Sequence, residues 1–226
     1  MTKKILFYYL TFIALSLVSL VSCEKEEDNT VKDIDGNIYH TVTIGTQVWM
    51  VENLKTTKYN DGTEIPNVKG NEEWNVLTTG AYCWYNNDKS TYKETYGALY
   101  NWHAVNTGKL CPTGWHVPTS DEWLTLISFL GGENAAGCKL KETDTIHWQS
   151  PNAEATNESG FTALPGGYRF GGVFDYLQGM GYWWSSSELE YEDELIKYYC
   201  MDKYYCQIEE YFDNKNNGLS VRCIKD

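Results

Sequence analysis

Cys111-Pro-Thr-Gly-Trp-His-Val-Pro118 runs directly into Thr119-Ser-Asp-Glu-Trp123. After Pro118 the residue types spell a helix start. The Thr119 hydroxyl can cap a free amide, and Glu122, three residues on, can reach back to the cap. Trp123, Ile127 and Leu130 then fall on one face with Leu126 beside them, and Gly131-Gly132 stops the run. The spacing predicts one amphipathic helix over about 120–130.

Downstream of that helix, Gly and turn residues recur at Gly137, Asn152, Asn157, Gly160, Gly166-Gly167, Gly171-Gly172, Gly179 and Gly181. Short β segments are expected between them: 161–164, 182–185, 196–201, 204–208 and 219–224. Upstream, residues 31–54 read as β. Asp35-Gly36-Asn37 is a turn, Ile38, His40, Val42 and Ile44 alternate, and Gly45-Thr46 turns the chain before Val48 and Met50. Asp33-x-Asp35-Gly36-Asn37 is superficially like the start of a calcium loop, but the closing Glu would fall at Ile44, so calcium is discarded. Residues 55–80 are polar and loop-like, 81–85 form a short aromatic strand, and 96–105 fit a short helix or a buried strand equally. The sum is a loop-rich α+β domain with a small, mostly antiparallel sheet and few helices.

The N-terminus carries an address. Lys3 and Lys4 precede an apolar run from Ile5 to Val21 that ends in Leu20-Val-Ser-Cys23. That layout is a signal peptide over 1–22, and Leu-Val-Ser-Cys resembles a bacterial lipobox, which implies lipid on Cys23. Residues 23–30 follow as a lipidated acidic tether without apolar residues, unable to fold. Lys25-Glu26-Glu27 resembles the surface-export signal of Bacteroidetes lipoproteins, which implies the outer face of the outer membrane. Residues 31–226 are left as one domain.

Losing Lys3 and Lys4 takes the formal charge from −13 to −15. Such a chain is repelled by nucleic acid and by anionic headgroups, so neither is expected as a partner. With Cys23 lipidated, Cys83, Cys111, Cys138, Cys200, Cys206 and Cys223 remain, and six cysteines in an oxidising compartment point to disulfides. Cys111 and Cys223 are both expected to pair, not necessarily with each other. Cys200 and Cys206 would bridge across a three-residue hairpin loop but not a two-residue one. No Cys-x-x-Cys occurs and the four histidines lack close ligand spacing, so no metal and no cofactor is expected.

Eight stretches carry a family resemblance: 33–37 (DIDGN), 47–54 (QVWMVENL), 96–102 (YGALYNW), 111–118 (CPTGWHVP), 157–161 (NESGF), 164–169 (LPGGYR), 182–186 (YWWSS) and 220–223 (SVRC). In this order they resemble the Fibrobacter succinogenes major paralogous domain, a family of exported proteins without an established molecular function. More distantly, Cys-Pro-x-Gly-Trp before a capped helix, then Trp-Ser-Ser and a terminal Val-Arg-Cys strand, resembles the C-type-lectin-like fold shared by formylglycine-generating enzymes. That implies a sheet scaffold with a ligand site late in the chain. The 18 Tyr and 9 Trp of the sequence suit such recognition. The expected surface is the loops around 166–215, with Tyr168, Arg169, Tyr176, Tyr182, Trp183 and Trp184 contacting a glycan or protein, and Trp183 or Trp184 as an anchor. A surface binding or adhesion module is the first reading. The alternative is an enzyme of the formylglycine-generating type, for which Val221-Arg-Cys223 resembles one half of a reactive cysteine pair. No second cysteine matches the other half, and neither Gly-x-Ser-x-Gly nor His-Glu-x-x-His occurs.

Overall fold

The computed structural model describes residues 29–188 and 195–226. The expected signal peptide, Cys23 and all but the last two residues of the expected tether lie outside them, as does most of the acidic run 188–194. Five antiparallel strands form one sheet in the order β1-β2-β3-β12-β6: β1 (Thr30–Lys32), β2 (Ile38–Ile44), β3 (Gln47–Met50), β12 (Ile224–Lys225) and β6 (Trp115–His116). A second antiparallel sheet runs β11-β10-β9, from β9 (Met180–Glu188), β10 (Leu195–Asp202) and β11 (Glu209–Asn214). Two ribbons complete the β structure: β4 (Tyr82–Cys83) with β5 (Leu99–Tyr100), and β7 (Gly166–Phe170) with β8 (Val173–Leu177). The helices are α1 (Asn71–Asn75), α2 (Lys89–Tyr96), α3 (Trp102–Val105), α4 (Ser120–Phe129) and α5 (Glu133–Leu140). The fold is α+β.

Helix α4 starts where its capping box places it. Thr119 Oγ1 accepts from the Glu122 amide, and the Glu122 carboxylate accepts from the Thr119 amide at 2.8 Å. Trp123, Leu126, Ile127 and Leu130 are all buried. The first hairpin also follows its turn chemistry. The Asp33 carboxylate accepts from the Asn37 amide at 2.9 Å and from the Tyr39 hydroxyl at 2.6 Å, while Asp35 accepts from Thr57. Gly45-Thr46 is a two-residue turn between Ile44 and Gln47. The alternation on β2 is phased differently from the expectation. Ile38 and His40 are exposed while Tyr39 is buried, because the Tyr39 hydroxyl reaches inward to Asp33.

Several elements differ from their sequence reading. Residues 96–105 hold three short pieces: the end of α2, then β5, then α3. Residues 161–164 and 204–208 are not strands, whereas β11, the ribbon β7–β8 and the helices α1 and α5 were not anticipated. Helix α5 was hidden by Gly137, whose part is close approach rather than a turn. A Cβ there would meet the carbonyl oxygens of Gln207 at 2.5 Å and Cys206 at 2.7 Å.

Strands β9 and β10 of the second sheet are covered on both faces. Tyr182, Trp184, Tyr198 and Cys200 point into one apolar cluster, and Trp183, Tyr199 and Met201 into another that includes Trp123 and Trp49. Consecutive strand residues face opposite sides, so a strand between two cores reads as an unbroken apolar run.

Candidate ligand-binding site

Five of the eight stretches that carry the family resemblance (47–54, 96–102, 157–161, 182–186 and 220–223) meet in the interior. Asn53 Oδ1 accepts from Trp183 Nε1 at 2.9 Å and from the Arg222 guanidinium at 2.9 Å, and Asn53 Nδ2 donates to the Tyr96 carbonyl at 3.0 Å. Arg222 also donates to the Phe161 carbonyl and lies 4.1 Å above the Phe161 ring. Arg169 is held the same way, by the carbonyls of Val68 and Lys69, by Asn71 Oδ1 and by the Trp74 ring. Both guanidiniums are buried on carbonyls and rings rather than on carboxylates, and burial lowers the pKa of Arg222. These residues are architecture.

That placement corrects four of the six expected ligand contacts. Arg169, Trp183 and Trp184 are fully buried, and Tyr182 nearly so. The indole nitrogen of Trp184 is spent on the Tyr100 carbonyl at 2.8 Å. No ring of the Trp183-Trp184 pair is open to a ligand, because the sheet that carries them has no free face there. Tyr168 is half-buried and Tyr176 is exposed.

The cysteines divide likewise. Cys111 pairs with Cys223, and Cys138 with Cys206. Cys83 and Cys200 are buried free thiols, so two of the six disulfide candidates are unpaired. Cys200 lies opposite Glu209, not Cys206, because the connection to β11 is longer than a tight hairpin loop. Burial pushes both free thiols up to about 12.

Within the expected region lies a cleft of roughly 460 Å³ between the ribbon β7–β8 and the end of β10 with the segment that follows it. Sites for small ligands are commonly about 300–1,000 Å³. Asp175, Tyr176 and Leu177 come from β8, Gly179 from the turn before β9 and Met180 from its first position, Asp202 from the end of β10, and Lys203 and Tyr204 from the segment that follows. Tyr85 and Gln149 complete the lining and alone fall outside 166–215. None of the ten belongs to a resemblance stretch.

Two features mark the rim. Tyr176 and Gln178 have φ of 58° and 65°, in the left-handed region, which costs a bulky side chain on the order of 1–2 kcal/mol. The Tyr176 amide is turned onto its own neighbour, Asp175 Oδ1, at 2.7 Å. The result is a ring 47% exposed at the cleft that also packs on Tyr168 at 5.4 Å between centroids. Across from it, Tyr204 is 57% exposed, with the Lys203 ammonium 5.1 Å from its ring and 2.7 Å from Gln149 Oε1. Asp202 Oδ1 caps the Tyr204 and Tyr205 amides at 2.7 and 2.9 Å. Lys203, Gln149, Asp175 and Asp202 escaped the sequence reading because nothing local marks them. Only the folded chain brings 149, 175 and 202 together.

The family model described as the Fibrobacter succinogenes major domain matches residues 42–225. The chain belongs to that family. No curated protein and no solved structure matches it. Within the Fibrobacter succinogenes major domain of this chain, then, Asn53, Tyr96, Phe161, Trp183 and Arg222 build a buried polar frame, and the cleft is lined by other residues. No helix among the described residues is long and apolar enough to cross a membrane.

Proposed function

We propose that this protein is an exported, lipid-anchored binding module, a single domain over 31–226, that takes a saccharide in the cleft between β8 and the segment 202–205. The observation that carries the reading is Tyr176. A bulky residue held at positive φ, half exposed over a cleft, is a strained arrangement, and such strain clusters at ligand clamps. Tyr176 and Tyr204 offer flat apolar faces at low entropic cost. Asp175, Asp202, Gln149 and Lys203 supply planar and charged groups for hydroxyls. A few polar groups beside apolar walls is the usual composition of a small-ligand site.

Location belongs to the same proposal. Leu20-Val-Ser-Cys23 supports lipidation, and Lys25-Glu26-Glu27 supports display on the outer membrane's exterior face. The C-type-lectin-like architecture is part of it as well, supported by the antiparallel sheet that β12 enters beside β6 after the Cys111–Cys223 bond. The enzymatic alternative has less support. Cys223 spends its sulfur on Cys111, and Cys83 and Cys200 are buried thiols pushed up to about 12, so a cysteine nucleophile has no thiolate to start from among the described residues. A glycan array probed with the full mature chain tests the proposal. Binding of a defined saccharide class is expected, and capture of none would turn the reading toward a protein ligand.

A further inference from the structure

The segment after β10 forms one wall of the cleft, yet it belongs to no strand until β11 begins at Glu209. Apart from two backbone bonds at Lys203, whose amide donates to the Gly179 carbonyl and whose carbonyl accepts from the Ala153 amide, it is held by one face of α5 and the residue that follows. Gly137 donates its amide to the Cys206 carbonyl at 2.9 Å, at a spot where any Cβ would strike backbone oxygens. Cys138 is bonded to Cys206. Lys141, four residues after Gly137, is fully buried. Its Nζ donates to the carbonyls of Asp202 at 2.9 Å and Tyr205 at 2.9 Å, with Ala153 further off at 3.4 Å. An ammonium has three donors and no acceptor, and here one carbonyl answers each. Trp148 covers it at 5.5 Å. No ion pair to Lys141 occurs among the described residues. A buried cation without a counter-ion is costly, and burial draws this one down to about 8, against the pull of Asp202 and Glu154. Methionine or leucine would fill the same space without that cost. What only the ammonium supplies is a three-way tie that joins the end of β10 at Asp202 to the Tyr205 and Ala153 carbonyls, which lie outside any strand.

We propose that Lys141 is a positioning residue for the cleft: its buried ammonium, bound to the carbonyls of Asp202, Tyr205 and Ala153, fixes the 202–205 segment so that Lys203 and Tyr204 face Tyr176. The inference rests on reading the cleft as the ligand site, but the placement of the segment can be measured without any ligand. The carbonyls of 202 and 205 bracket the two residues that carry the exposed side chains. The Cys138–Cys206 bond anchors the far end, and Asp202 Oδ1 gathers the intervening amides. The ammonium therefore sets the curve of the wall rather than its attachment.

Hydrogen exchange on the full mature chain, read by mass spectrometry, tests this with Lys141→Met, which keeps length and loses every donor, and Lys141→Gln, which keeps two. The amides of 203–206 should exchange about ten-fold faster or more in the Met variant and by an intermediate factor in the Gln variant, while those of α4 stay as in the wild type. Gln is the gentler change and carries the test if Met impairs folding. Unchanged exchange at 203–206 in either variant overturns the assignment. So does equal acceleration throughout the domain, since Lys141 would then be a core residue and nothing more. For a saccharide captured on the array, affinity should fall about ten-fold in Lys141→Met. A loosened segment with undiminished saccharide affinity would overturn the cleft as the site and with it the positioning role.

Discussion

Replacing Asn53 by Ala removes the one acceptor shared by Trp183 and Arg222. Asn53 is 3% exposed, so water cannot take its place without opening the core. Its Oδ1 accepts from Trp183 Nε1 and from Arg222 at 2.9 Å each. Arg222 Nε already lacks a partner, and the guanidinium would keep only the carbonyls of Phe161 and Thr162. An orphaned buried donor costs about 1–3 kcal/mol, more when charged. Two such donors give roughly 3–5 kcal/mol, a large share of the ~5–15 kcal/mol that holds a domain together. Urea unfolding followed by tryptophan fluorescence, under non-reducing conditions, reads this as a lower midpoint at constant slope. Asn53→Asp keeps an acceptor opposite Arg222 and should lose less than Asn53→Ala. A loss below about 1 kcal/mol for Asn53→Ala would refute the idea that this network frames the core.

Other consequences are as direct. His116 donates to Asp226 Oδ1 at 2.6 Å and to Glu122 Oε1 at 2.9 Å. Partial burial opposes its charge, but those two carboxylates outweigh burial and raise its pKa. Its contribution is therefore complete below the unfolded value of about 6.5 and disappears as pH rises through the higher folded value. The stability gap between wild type and His116→Gln should be widest near pH 5–6 and close toward pH 9, and a pH-independent gap would contradict the pairing. Peptide mapping should find Cys111 joined to Cys223 and Cys138 to Cys206, with Cys83 and Cys200 alkylated only after denaturation; rapid native alkylation of either would contradict their burial. Cys23→Ala should accumulate unprocessed precursor, and protease shaving of intact cells should remove the wild-type domain. Normal anchoring of the variant, or protection until the outer membrane is lysed, would count against lipidation or display.

The legible parts of this fold were those whose signals are local. The capping box at Thr119–Glu122 and the turn Gly45-Thr46 each fix a structure within a few residues. Failures came where a residue answers to something distant. Gly137 read as a turn because its partner, the backbone of 206–207, is remote in sequence. Trp183 or Trp184 read as a ligand anchor because abundance of aromatics cannot reveal that the strand lies between two cores. Phe161 read as strand, whereas its carbonyl and ring are both committed to Arg222. Of the expected contacts, Tyr176 alone is both exposed and at the cleft. Its partners Gln149 and Lys203 are joined by a contact across 54 residues that no sequence pattern announces.

The account turns on recognition by the cleft rather than by the residues that carry the family resemblance. The direct test is the affinity of an array-identified saccharide for the wild-type chain, Tyr176→Ala, Tyr204→Ala and Trp184→Phe, each with its thermal midpoint. Tyr176→Ala and Tyr204→Ala should each weaken binding by about 2 kcal/mol while the midpoint stays near wild type, and Trp184→Phe should lower the midpoint without changing affinity. Full affinity in both tyrosine variants, with loss in Trp184→Phe, would contradict it.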